Sequence, residues 1–364
     1  MLGSTCLERK VPEMLSLWTD IFNGLLLPNE AKTETTTEGL KSRLTDLISM
    51  SAVNYKNSLA HGGHHYSMAH AASKLKHLPA LGEREKQSGI SMFRRLTALS
   101  ESPEEVSLLL SDLSVMSRKL LSASNIETFS ISATPQKSQD ILEQFGNFVT
   151  DLPTSQSTEA KSLKDAKEAS NDNDKHTYFI SPFMVHFSSI ALPGVHYTHP
   201  DSAALRVLSR IISSKYLHVE IREKGGAYGG GCSASPTSAA ISFFSYRDPN
   251  FERTLETFHN SNDWIQKGKE SFGQTDVDEA KLSVFKALDK PILPGARGLR
   301  IFLSGITDEQ FENHRRLIRE VTFADIQRVS EKYLGQSRDN AFSTTLGPEP
   351  QDSLNHKVET LIKA

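Results

Sequence analysis

The feature that most constrains the fold is a polar stretch over residues 151–177, in the middle of a chain of 364 residues. It is rich in Ser, Thr, Asp and Lys and contains almost no large apolar side chains. Such a stretch buries too little surface to offset the entropy that ordering removes, so it is predicted to be a disordered linker. The chain is therefore expected to fold as two parts, residues 1–150 and residues 178–364.

The two parts share an order of predicted elements, which indicates an internal repeat. Hydrophobic periodicity in the second part predicts a strand pair over 177–192, a helix capped by Asp201, a strand ending at Pro249, several helices, a strand over 340–349 and a short final helix. The first part repeats the later elements over 102–149 but lacks the opening strands. The predicted fold class is thus α+β, with two related α/β-roll units whose antiparallel sheets carry helices on one face. The first unit is expected to be truncated at its N-terminus.

Charge and cysteine content narrow the classes of function. A net charge of −3 and an isoelectric point near 6.5 disfavour a protein that binds nucleic acid, because such proteins usually carry a basic surplus. Cys6 and Cys232 are too few for a disulfide framework or a cysteine-based zinc site. The apolar runs are shorter than the roughly 18 residues of a membrane span, and the first residues have no targeting-signal pattern. Neither nucleic acid nor a membrane is an expected partner.

A histidine cluster, HGGHHYSMAH, contains His61, His64, His65 and His70. Three of them have the spacing of helical zinc ligands, but a glycine pair interrupts them and no carboxylate is adjacent. The alternation of side chains instead predicts a turn followed by a strand over 64–71. No H-x-x-E-H motif occurs in the chain, and no metal ligands are assigned.

The glycine-rich segment LHVEIREKGGAYGGG places Arg222 and Tyr228 on either side of a hinge. A phosphate loop is disfavoured because the segment runs from helix to strand and lacks the G-K-[ST] ending. Cys232 as a nucleophile is disfavoured too, since no partner base is adjacent. Arg222 suits the end of a helix, where Gly225 or Gly226 is expected to have a positive φ. The arginine and the phenol are also donors suited to a peptide carbonyl or its oxyanion, and the residues alone leave capping, strand packing and this function open.

This segment, followed by SYRDPN and DEAKLSVF, resembles the C-terminal half of presequence proteases, zinc endopeptidases of the pitrilysin (inverzincin) family. The resemblance implies four related α/β units around a peptide chamber, with zinc held by H-x-x-E-H on the N-terminal half. It assigns substrate binding to Arg222, Tyr228, Gly225 and Gly226, and a catalytic role to Tyr228. Zinc belongs to the full-length enzyme, and this chain is expected to bind none.

The same resemblance makes residues 1–150 a truncated third unit and residues 178–364 the fourth. It implies a mitochondrial matrix location, targeting peptides and other short unstructured peptides as substrates, and a zinc-bearing N-terminal half as the partner. The chain alone is then expected to be inactive. Two alternatives stay open: a non-catalytic peptide-binding module, and an independent metalloprotein that uses the His61 to His70 cluster.

Overall fold

The structure is a computed structural model that describes residues 3–23, 34–120, 134, 136–152, 174–270, 272–350 and 357–362. Most of the polar stretch, and nearly all of the strand that the sequence predicts over 126–136, lie outside the described residues. The α-helices are α1 Val11–Phe22, α2 Glu34–Ser73, α3 Pro79–Ser88, α4 Ile90–Glu101, α5 Pro103–Leu120, α6 Ser138–Thr150, α7 Ser202–Ile211, α8 Phe251–His259, α9 Ser261–Gln266, α10 Gln274–Leu288, α11 Leu299–Ser304, α12 Asp308–Glu320 and α13 Phe323–Ser330. The strands are β1 His176–Ile180, β2 Phe187–Pro193, β3 Gly229–Ser235, β4 Ala240–Tyr246, β5 Phe342–Gly347 and β6 Lys357–Thr360.

The chain forms two compact units, each built from segments that are distant in sequence. Unit 1 comprises Met1–Ala52, Leu96–Asn171 and Pro291–Gly305, and unit 2 comprises Val53–Arg95, Asp172–Lys290 and Ile306–Ala364. The described part of unit 1 is helical, and all six described strands belong to unit 2. This division differs from the one expected at the polar stretch. The assignment of the two parts to third and fourth pitrilysin-type units stays a prediction.

Unit 2 is built on a six-stranded sheet with the order β3-β4-β2-β5-β1-β6. The pairs β3–β4, β4–β2 and β2–β5 are antiparallel, whereas β1 runs parallel to both β5 and β6. The α+β class is confirmed, and the sheet is mixed rather than purely antiparallel.

Strands β1 and β2 do not form the pair that their sequence suggests, because β5 lies between them. The connection over residues 181–186 spans about 20 Å when extended. That is enough to cross the roughly 10 Å between alternate strands of a sheet.

Both faces of the sheet are covered by helices, rather than one face as predicted. Successive strand residues point to opposite sides. Tyr178 and Phe243 enter a large core with the helices between α7 and α13. Phe179 and Phe187 enter a second core, whose other side chains include those of α2 and α4. The segment 53–95 therefore belongs to the core of unit 2, although the sequence places it in the first part.

The segment HHYSMAHA is helical, so the predicted strand over 64–71 is wrong. Its buried positions recur every four residues, at Leu59, Gly63, Ser67 and Ala71. That spacing fits one face of a helix lying on the sheet, and a short alternation of side chains does not exclude it. The glycine pair has two separate effects. Gly62 has a non-helical backbone that kinks α2, and a Cβ at Gly63 would lie 2.5 Å from the Phe187 ring.

The chain end also differs from the prediction. Residues 357–360 form β6 on the edge of the sheet, parallel to β1, where the sequence suggested a short final helix. Residues 351–356 lie outside the described part. The open edge of β1 supplies hydrogen bonds that decide the conformation of so short a segment, and such long-range pairing overrides local propensity. The predicted helices over 276–290, 307–320 and 322–334 are confirmed as α10, α12 and α13.

Limited proteolysis is expected to cut first within residues 151–177, because a polar stretch without apolar anchors is the preferred kind of site. The two products are expected to stay associated under native conditions, since helices from residues 53–95 supply one core of unit 2. Gel filtration of the cut protein, followed by a denaturing gel of each peak, measures this. A C-terminal product that elutes alone and remains folded would contradict the interleaved arrangement.

Candidate functional site

The glycine-rich segment lies between a π-helix, Ile212–Glu223, and the strand β3. The π-helix follows α7 directly and is 12 residues long. Its wider turns bury Leu217 and Ile221, whereas Val219, which α-helical spacing would bury, stays partly exposed. Most π-helical segments are single turns, and they are frequent at functional sites.

The hinge itself requires glycine at two positions. Gly226 has a φ of +79° and its amide donates to the Arg222 carbonyl over 3.1 Å, which ends the helix. A Cβ at Gly225 would lie 2.5 Å from the Ile221 carbonyl oxygen. The Gly225 carbonyl accepts a hydrogen bond of 3.1 Å from the Asn250 side chain. Of the two glycines expected to bind substrate, Gly226 is therefore exposed and Gly225 is buried within the turn.

Arg222 and Tyr228 lie together on the surface at this hinge. The guanidinium carbon of Arg222 is 5.9 Å from the centre of the Tyr228 ring. The Tyr228 side chain is 67% exposed, which is unusual for a strand aromatic that only packs. Its ring meets Tyr246 edge-on at 5.6 Å, and its amide donates to the Arg247 carbonyl over 3.2 Å. Among the described residues, the Tyr228 hydroxyl and the Arg222 guanidinium have no hydrogen-bond partner, so both can reach a ligand.

The turn after β4 completes the surroundings of Tyr228. Arg247 has a φ of +50°, and its guanidinium carbon is 5.4 Å from the Tyr246 ring. Asp248 is buried and exchanges two backbone hydrogen bonds with His186, of 2.8 and 2.9 Å, which fix the turn. The sequence analysis did not assign a function to Tyr246 or Arg247. The SYRDP motif was visible, but its left-handed residue was not, because nothing in the residue type Arg favours a positive φ.

The histidine cluster is spread over different partners. Its members are His61, His64, His65 and His70. His64 packs against Tyr246 at 5.0 Å, and burial together with the neighbouring His65 lowers its pKa to about 4. The His70 ring bonds the Thr344 hydroxyl at 2.9 Å. In the part of the chain that the structure describes, no three His, Cys, Asp or Glu side chains come together as a metal site.

Two other features bear on the classes of function. Cys232 is buried beneath the π-helix, where burial raises the pKa of its thiol, so this cysteine is not an activated nucleophile. Its amide donates to the Ser213 hydroxyl over 2.8 Å, which ties β3 to the π-helix. Over the described ranges, no helix is both long and apolar enough to cross a membrane.

Comparison with known proteins places the site within a family. Residues 177–340, which include the hinge, match the family described as PreP C-terminal domain, and residues 1–99 match a family described as peptidase associated. The chain is 36% identical over 368 residues to the mitochondrial presequence protease of Danio rerio and 35% identical over 315 residues to that of Saccharomyces cerevisiae. These alignments cover 96% and 84% of this chain. The chain belongs to the presequence protease family. It spans about a third of these relatives, 34% of the former and 31% of the latter.

Solved structures share the fold of this presequence protease family member at low sequence identity. A conserved protein from Enterococcus faecalis V583 aligns over 97% of this chain and 77% of its own, with a TM-score of 0.56 and 14% identity. The periplasmic protease PqqL from Escherichia coli aligns over 94% of this chain and 35% of its own, with a TM-score of 0.53 and 13% identity. These similarities concern the fold alone.

Proposed function

We propose that this chain is the C-terminal half of a presequence-protease-like zinc metalloendopeptidase that degrades targeting peptides and other short unstructured peptides. The observation that carries the proposal is the stacked pair of Arg222 and Tyr228, exposed at a glycine hinge in a chain of this family. The relatives are named as mitochondrial presequence proteases, which supports a mitochondrial matrix location for this chain as well.

The two side chains have different tasks in this proposal. Arg222 binds a backbone carbonyl of the peptide through its guanidinium, and this contact exists before and during the reaction. Tyr228 donates its hydroxyl hydrogen to the oxygen on which negative charge develops when the scissile carbonyl is attacked. The exposed backbone at Gly226 leaves room for an extended peptide to lie close to both donors.

The described residues of this chain do not fit a zinc site, since the clustered histidines diverge toward separate partners. Zinc in the full-length enzyme supplies the attacking group for hydrolysis. We assign its ligands to a zinc-bearing N-terminal half outside this chain, which is the proposed partner. The contribution of this chain is to bind and orient the peptide and to donate hydrogen bonds to it.

The isolated chain is therefore expected not to hydrolyse peptides above background and not to hold zinc in stoichiometric amount. A fluorogenic peptide assay with added zinc, together with metal analysis of the purified chain, measures both. Co-expression with a zinc-bearing half should restore turnover that a chelator abolishes. Chelator-sensitive hydrolysis by the chain alone would contradict the proposal and would favour the metalloprotein alternative.

A second candidate function is a non-catalytic peptide-binding module. It is favoured by the exposed donor pair, which can bind a peptide without any metal in the same chain. The reconstitution experiment separates the two candidates. Peptide binding without complex formation and without turnover would support the binding module.

A further inference from the structure

The turn after β4 holds a second arginine whose conformation the fold does not require. Arg247 has a φ of +50°, a region that residues other than glycine rarely adopt. Neighbouring backbone contacts impose this conformation, because the Arg247 carbonyl accepts from Tyr228 and the next residue pairs with His186. Glycine would satisfy the same backbone at lower cost, so the side chain at this position is the unexplained feature. Strained residues of this kind concentrate at functional sites.

The side chain of Arg247 extends the candidate site into a continuous row. The row runs Arg222, Tyr228, Tyr246, Arg247, and successive members are 5.9, 5.6 and 5.4 Å apart, measured to the ring centres. We call these four residues the Arg–Tyr row. Each guanidinium lies over or beside a phenol ring, an arrangement that orients the cation and leaves its N–H groups available.

The positive charge of this row is not neutralised by the protein. Among the residues that the structure describes, neither Arg222 nor Arg247 has an ion-pair partner. The nearby acids are engaged elsewhere: Glu220 pairs with Lys224, and Glu223 lies 3.2 Å from the His218 ring nitrogen. The ligand of this row should therefore bring its own negative charge.

A carboxylate is the anion that matches this arrangement. A guanidinium offers two parallel N–H donors, which fit the two oxygens of a carboxylate. Every peptide has a carboxylate at its C-terminus, and some have acidic side chains. A carboxylate at the Arg247 end of the row would leave Arg222 and Tyr228 free to contact the backbone at the other end.

We propose that Arg247 is a specificity-determining residue that binds a carboxylate of the peptide, and that the Arg–Tyr row accordingly prefers peptides that carry one. This inference rests on the proposed peptide-binding function of the row. It assigns a preference to a residue outside the Arg222–Tyr228 pair, and it concerns binding rather than turnover.

The test uses the full 364-residue chain and fluorescence anisotropy. The probe is a short unstructured peptide, labelled at its N-terminus and free of acidic side chains, with either a C-terminal carboxylate or a C-terminal amide. A third probe combines the amide with one internal Asp, so that the two sources of carboxylate are distinguished. The carboxylate probes are expected to bind about fivefold more tightly than the amide, the range of a partly exposed charge-assisted pair. The difference should shrink at high salt.

The variants isolate the guanidinium from its backbone. Arg247→Gly removes the side chain at a position that suits glycine, so it should fold with an unchanged or higher Tm and bind all probes as weakly as the amide. Arg247→Lys keeps the charge but not the fork, and should keep part of the preference. Arg316→Ala is the matched control, because it removes an arginine that pairs with Glu320 on the exposed face of α12. It should leave the preference intact.

Several results would overturn the inference. Equal affinity of the wild-type chain for the carboxylate and amide probes would do so, as would a preference that survives Arg247→Gly. A loss as large in Arg316→Ala would show that only the overall charge matters. Absence of any binding would overturn it too. A chain that binds peptides without preference would leave the proposed function standing, since turnover of the reconstituted enzyme is measured separately.

Discussion

Replacement of Tyr228 by phenylalanine in the reconstituted enzyme is expected to lower kcat by about 10²–10³-fold, the usual cost of losing one oxyanion donor, about 3–4 kcal/mol. The substitution is specific because the ring keeps its contacts with Tyr246 and Arg222, which do not involve the hydroxyl. The hydroxyl has no partner among the described residues, so no internal hydrogen bond is lost. Steady-state kinetics measure the effect, and circular dichroism confirms the fold.

Two further variants sharpen this result. Arg222→Ala should act more on KM than Tyr228→Phe does, because an arginine that holds the peptide backbone acts in the ground and transition states alike. Tyr55→Phe, on α2 outside the Arg–Tyr row, is a matched loss of one phenolic hydroxyl and should leave kcat unchanged. A folded Tyr228→Phe enzyme with wild-type kcat would show that the phenol is only a surface aromatic, and the proposed function of the hinge would be withdrawn.

Replacement of Asp201 by asparagine is expected to destabilise unit 2 by about 2 kcal/mol near neutral pH. Asp201 precedes α7, where the sequence predicts an N-cap, but its side chain makes no capping hydrogen bond. Its carboxylate instead accepts from Arg328, Lys332 and Tyr333, at 2.7, 2.9 and 2.8 Å. Asparagine keeps the shape and loses the charge, so two cations at the start of α7 lose their common partner.

The pH dependence has a definite sign. Burial by itself raises the pKa of Asp201, but hydrogen bonds from Lys332, Arg328 and Tyr333 outweigh it and lower the pKa to about 2. In the unfolded chain the pKa is about 3.9. A carboxyl whose pKa is lower in the folded state stabilises the protein fully above the unfolded value. The difference between wild type and Asp201→Asn should therefore be complete above about pH 4 and shrink as the pH falls toward 2.

Urea unfolding followed by tryptophan fluorescence measures this difference. In a Trp18→Phe background the signal comes from Trp264, which stacks between Tyr216 and Phe272 within unit 2. Glu320→Gln is the control, because it removes an exposed carboxylate paired with Arg316 and should change stability little. An equal difference at pH 7 and at pH 2.5 would contradict the role of the Asp201 charge.

The elements that the sequence predicted correctly are those that depend on nearby residues. Helices α12 and α13 begin where Thr307 and Thr322 accept hydrogen bonds from backbone amides three residues on, a pattern contained in a few residues of sequence. The positive φ at Gly226 likewise follows from the helix that it ends. The errors occurred where a short segment is compatible with two structures. The segment over 64–71 alternates like a strand, and only the sheet on which it lies makes it a helix.

The sequence by itself determined the α+β class, most helix boundaries and the neighbourhood of Arg222 and Tyr228, because a few residues on either side of one hinge decide these features. The tertiary structure alone decided that β5 lies between β1 and β2, that residues 53–95 cover one face of the sheet, and that Arg247 completes the Arg–Tyr row. The physical reason is that strand order, burial and a left-handed backbone at a non-glycine residue arise from contacts between residues far apart in the chain. Their free energy depends on which distant surfaces meet, and local periodicity carries no record of that meeting.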